Sequence, residues 1–183
     1  MVNDYFDRKP NNSAHIYDLS MILFKQLKVL HKLGRSYVKV LRIASYLINS
    51  GYRIDVENSD KLAFDIIKNS DIFGVNHTDI ILAGFVALGK NSDNFALNEW
   101  VKYKEYLTDD DLMAVKKLSV ILKIAEALDI TAFGSVTDIS CDILGDSVIL
   151  KTICNGDAKL EIKYTMLYVN EFKKIFGKNL EII

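Results

Sequence analysis

The stretch Thr108-Asp109-Asp110-Asp111-Leu112-Met113-Ala114-Val115-Lys116-Lys117-Leu118-Ser119-Val120-Ile121-Leu122-Lys123-Ile124-Ala125-Glu126-Ala127-Leu128 decides the fold. Leu112, Val115, Leu118, Leu122, Ala125 and Leu128 recur three and four residues apart, the spacing of a long helix with one buried face. Thr108 with Asp111 gives it a capping-box-like start, in which hydroxyl and carboxylate take up free amides of the first turn.

Working upstream, the same period recurs. Ile16, Leu19, Leu23, Leu27 and Leu30 predict a helix from Asn12 to Leu33, with Asn12 or Ser13 capping its start and Gly34 ending it in a left-handed turn. A second helix is expected from Ser36 to Asn49, with Tyr37, Leu41, Ala44 and Ile48 on one face and Gly51 just beyond. A third is expected from Glu57 to Asn69, with Leu62, Ile66 and Ile67 inward. A fourth starts near Thr78 and is almost wholly apolar from Ile80 to Leu88, which predicts burial on most sides. Asn91–Asn98 reads as a loop, and Trp100 and Tyr103 as part of a short amphipathic helix. The single proline, Pro10, precedes all of these helices.

Downstream of Gly134 the pattern becomes alternating. Val136 to Cys154 reads as a hairpin turning at Gly145-Asp146, a register that pairs Cys141 with Leu150 rather than with Cys154. Leu160, Ile162 and Tyr164 read as a further strand. A helix to Phe176 then ends at Gly177, and Leu180–Ile183 returns as a last strand. The expected class is mainly α, a helical body over residues 1–133 with a small α+β tail over 134–183.

Composition narrows the function. With 183 residues, half of them hydrophobic, and a formal charge of −1, the chain is long enough to bury a substantial core. No apolar run reaches the ~18 residues that span a bilayer, and the N-terminus is polar and acidic where a signal peptide is basic and then apolar. The expectation is a soluble, cytoplasmic protein that does not engage a membrane. Two cysteines provide neither a disulfide framework nor a four-cysteine zinc site, and read as free thiols.

Four segments carry a resemblance. They are His15-Ile16-Tyr17-Asp18-Leu19-Ser20-Met21-Ile22-Leu23-Phe24-Lys25-Gln26-Leu27, Ile66-Ile67-Lys68-Asn69-Ser70-Asp71-Ile72-Phe73-Gly74, Leu122-Lys123-Ile124-Ala125-Glu126-Ala127-Leu128-Asp129 and Phe172-Lys173-Lys174-Ile175-Phe176-Gly177-Lys178. In order and spacing they resemble the C-terminal domain of the Ppx/GppA exopolyphosphatase and guanosine-pentaphosphate phosphatase family. That resemblance implies a helical bundle like the HD phosphohydrolases. In active HD proteins a histidine, a His-Asp pair and a distant aspartate hold one or two divalent metals, whose open positions take water and phosphate. Matched to that set, the first position is His15 and the last is changed to Glu126. The segment Ala44-Ser45-Tyr46-Leu47-Ile48-Asn49-Ser50-Gly51 puts Ile48 and Asn49 where the His-Asp pair belongs. Isoleucine cannot coordinate and neutral asparagine is a weak ligand, so these four positions read as vestigial, with no metal, no cofactor and no catalytic residue. Nor does the chain carry the glycine-rich phosphate loops of the family's actin-like phosphatase domain. Asn69-Ser70-Asp71 reads as a helix end shaped by side-chain-to-backbone bonds.

Between Asp18 and Asp55 there is no acidic residue, while Lys25, Lys28, Lys32, Arg35, Lys39 and Arg42 follow at helical spacing. This concentrates positive potential, and with the resemblance it implies a polyanion site for polyphosphate or a guanosine nucleotide. The charge comes with no nucleic-acid-reading motif, so nucleic acid is not the expected ligand. The leading expectation is a non-catalytic accessory domain that supports an actin-like phosphatase domain, in cis or in trans, and forms a homodimer. The alternatives are a stand-alone HD-type metal phosphohydrolase with substituted ligands and a purely structural dimerisation module.

Overall fold

A computed structural model describes residues 12–89 and 93–183. Pro10 and, of the expected loop at 91–98, Asn91 and Ser92 lie outside the described residues. The described chain is mainly helical with a small three-stranded sheet. Its contacts group into two compact units: the N-terminal residues through Lys32 together with Val120–Ile183, and Leu33–Ser119. The division expected at residue 133 falls inside the first of these, because the first helix and the tail share a core.

In that unit, α1 (Ser13–Gln26) and α2 (Lys28–His31) replace the single helix expected to Leu33. The chain leaves α2 through Lys32, at φ 55°, and not through Gly34. The hairpin forms as read, with β1 (Val136–Leu144) antiparallel to β2 (Ser147–Cys154) and Cys141 opposite Leu150. Both cysteines are free. Burial, with the neighbouring Asp142 charge adding to it, pushes the Cys141 thiol up to about 11 and so disfavours its thiolate. The expected strand at Leu160–Tyr164 is instead the helix α8 (Lys159–Thr165). Its inward residues are Glu161 and Thr165, with Ala158 buried just before it, while Leu160 and Tyr164 are exposed. The helical period was therefore carried by polar residues that an apolar pattern cannot register. Next, α9 (Val169–Phe176) ends at Gly177 with φ 69°, a left-handed cap that favours glycine. Last, β3 (Asn179–Ile182) adds to β2 in parallel.

Ile16, Leu19 and Leu23 of α1 are core side chains, and α1 packs on β1. The Gln26 amide docks on the open edge of β1, donating to the Ile139 carbonyl at 2.6 Å and accepting from the Cys141 amide at 2.5 Å. One side chain thus satisfies backbone groups that a neighbouring strand would otherwise pair.

In the unit Leu33–Ser119, α3 (Tyr37–Leu47), α4 (Ser59–Lys68) and α5 (His77–Leu88) pack together. From Asp79 to Leu88 every residue of α5 is buried, as its all-round apolar pattern requires. The inward residues of α4 are Ala63, Phe64 and Ile67, whereas Leu62 and Ile66 are only half-buried. Phe85 packs against Phe64, Trp100 and Tyr103 with ring centroids 5.0, 4.9 and 5.8 Å away. Gly51 lets the turn after α3 press on α4, since a Cβ there would come within 2.1 Å of the Ser59 carbonyl oxygen. From Asp93 the chain is helical (α6, Asp93–Lys102), where a loop was expected to Asn98. The long helix α7 runs Asp109–Ala127, with its capping box formed: Thr108 Oγ1 accepts from the Asp111 amide at 3.2 Å, and Asp111 Oδ2 accepts from the Thr108 amide at 2.9 Å. No helix among the described residues is long and apolar enough to cross a membrane.

Candidate functional site

The four positions matched to a metal site by the resemblance, His15, Ile48, Asn49 and Glu126, fall in both units. In Leu33–Ser119, Ile48 caps the end of α3 as a core side chain, 2% exposed, and Asn49 follows it, half-buried. The inward-facing slot is filled by hydrocarbon that offers no lone pair, so a cation there would lose its water without gaining a ligand.

In the other unit, Glu126 is buried on α7, and His15 lies on α1 with Nε2 3.9 Å from the Asp129 carboxylate. Asp129 closes the segment Leu122–Asp129, and its approach to His15 is not marked by the apolar pattern. The usable signal was its place one turn beyond Glu126 on the same helical period. Asp129 is 1% exposed and its oxygens are engaged: Oδ2 accepts from Asn12 Nδ2 at 2.7 Å and Oδ1 from the Gly134 amide at 3.0 Å. This carboxylate therefore ties the start of α1 to the turn after α7. Among the described residues, no three His, Cys, Asp or Glu side chains gather as a metal cluster.

Asn69 and Ser70 take the structural role expected of them. Asn69 Nδ2 donates to the Asp65 carbonyl and Ser70 Oγ to the Ile66 carbonyl, each at 2.7 Å, closing the end of α4.

The basic residues divide between the units. Lys25, Lys28 and Lys32 are exposed, and among the described residues none has an acidic partner. Lys25 stands in the last turn of α1 and Lys32 just after α2, where each complements a negative helix end, while Lys28 opens α2. In Leu33–Ser119, Arg35 and Arg42 are exposed, but Lys39 is ion-paired with Asp79 of α5, whose side chain is 12% exposed. Beside it, Tyr37 donates to Asp111 Oδ1 at 3.1 Å. Burial, then this hydrogen bond and the charges of Asp111, Asp110 and Asp79, push the Tyr37 phenol from 10.0 up to about 12. Burial works to raise the Asp111 carboxyl, but the hydrogen bonds from Thr108 and Tyr37 outweigh it and hold it below its usual value. A stretch free of acids in sequence is therefore faced by acids in space over its second half.

Compared with known proteins, the chain matches no protein-family model, and no curated protein matches it closely enough to count as a relative.

Proposed function

We propose that this chain is a non-catalytic accessory domain, HD-like in fold, of the kind carried by Ppx/GppA-like phosphatases. In this reading it holds a polyanion such as polyphosphate, serves an actin-like phosphatase domain and works as a homodimer. The observation that carries the binding role is the exposed set Lys25, Lys28 and Lys32, which has no acidic partner among the described residues. Such ammonium groups attract a phosphate chain as point charges and gain from the counterions it releases. The absence of chemistry of its own is supported by Ile48, buried in hydrocarbon at a position where a hydrolase would need an imidazole.

The test is fluorescence anisotropy with labelled polyphosphate at low salt. Binding should weaken steeply as salt rises and be indifferent to added manganese or magnesium. No binding at low salt overturns the polyanion role. Phosphate-ester hydrolysis by the purified chain with either metal overturns the non-catalytic reading.

A further inference from the structure

The three lysines of this site do not stand on one continuous helix. Between α1 and α2, Leu27 has φ −85° and ψ 12°, and Lys25 lies before this break while Lys28 and Lys32 lie after it. Backbone bonds run on both sides: the Leu27 amide donates to Leu23 at 2.9 Å, and the His31 amide to Leu27 at 3.0 Å. The Phe24 carbonyl, which a continuous helix would give to the Lys28 amide, instead pairs with His31 Nε2 at 2.6 Å. A carbonyl only accepts, so Nε2 carries the proton. The imidazole is 0% exposed and stacks on the Phe24 ring at 4.3 Å, so the bond is held out of water. A side chain inserted into the helical ladder in this way is an established cause of a sharp bend.

We infer that His31 is the positioning residue of the polyanion site: its clamp on the Phe24 carbonyl sets Lys28 and Lys32 against Lys25 and so favours an extended polyanion over a single phosphate. The inference rests on reading the three lysines as that site. At the helical rise, Lys25 to Lys32 spans roughly 10 Å, so one inorganic phosphate does not meet all three ammonium groups while a chain of phosphates does. His31 touches no ligand and acts only through the angle at the break.

Anisotropy with labelled polyphosphate is compared for the full chain, for His31→Leu, which removes the donor, and for His31→Gln, whose amide nitrogen stands close to where Nε2 was. His31→Leu should bind about tenfold more weakly, with a slope of log affinity against log salt flatter by roughly one, the signature of a lost phosphate contact. His31→Gln should restore both. A purely structural histidine would lower the melting temperature and leave the salt slope of the folded fraction unchanged. A folded His31→Leu with native affinity and slope overturns the clamp while leaving the lysine site standing. If the unsubstituted chain binds no polyphosphate, the site itself falls. Should His31→Leu not fold, the unsubstituted chain decides by nitrogen NMR. Polyphosphate at saturation should shift the His31 Nε2 resonance and inorganic phosphate should not, and an unmoved resonance at saturation overturns the clamp.

Discussion

Two halves of one acid-free stretch behave differently once folded. Lys25, Lys28 and Lys32 keep their charge exposed, whereas Lys39 is consumed by Asp79, and Tyr37 beside it is bound to Asp111. In sequence the halves look alike: cations at helical spacing with no acid between them. What separates them is which residues from distant parts of the chain fold against each. A charge pattern along one helix therefore predicts an electrostatic surface only when nothing of opposite sign packs beside it.

The largest effect should come from reversing the first half. Lys25→Glu, Lys28→Glu and Lys32→Glu together should abolish polyphosphate binding measured by anisotropy, while the parallel Arg35→Glu with Arg42→Glu variant should keep most of it. Equal losses would break the contrast. Next, Lys39→Ala should leave binding nearly unchanged but cost roughly 1–2 kcal/mol of stability in urea unfolding, because the largely buried Asp79 carboxylate loses its cation. Normal stability with weakened binding would place Lys39 on the ligand instead.

Smaller again is the loss from Tyr37→Phe, about 1 kcal/mol for one hydrogen bond to a carboxylate. That variant also carries a pH signature. The folded Tyr37 phenol lies at about 12 and the unperturbed value is 10.0. Its contribution is therefore complete below pH 10.0 and is lost as pH rises through about 12, because there the folded state holds a proton that the unfolded state has released. Urea midpoints should fall less steeply over that window in Tyr37→Phe than in the native chain. The smallest effect is expected on the acid side, where Asp111 is held low. Its contribution is present above the ordinary carboxylate range and fades as pH falls through the lowered folded value. Thr108→Ala should make that fading shallower.

Much of the fold was legible because apolar residues mark it directly. The periodicity of α7, the all-round burial of α5, the hairpin register at Gly145-Asp146 and the glycine end of α9 each follow from local pattern. Pattern failed where polar residues do the packing. Glu161 and Thr165 face inward on α8 and so hid a helix behind an apparent strand, and the break in the first helix comes with a side-chain bond from His31 to the Phe24 carbonyl that no periodicity encodes. At the positions that the resemblance matches to a metal site, isoleucine at 48 is legible in the sequence as a residue that offers no ligand, but its burial and the approach of Asp129 to His15 required the folded chain.

The sequence by itself determined the helices with apolar inward faces, such as α7 and α5, and the register of the hairpin, since local spacing suffices for both. Only the tertiary structure decided which lysines remain exposed without an acidic neighbour and where the first helix bends. Both depend on groups brought together by folding: Asp79 onto Lys39, and the His31 imidazole onto the Phe24 carbonyl.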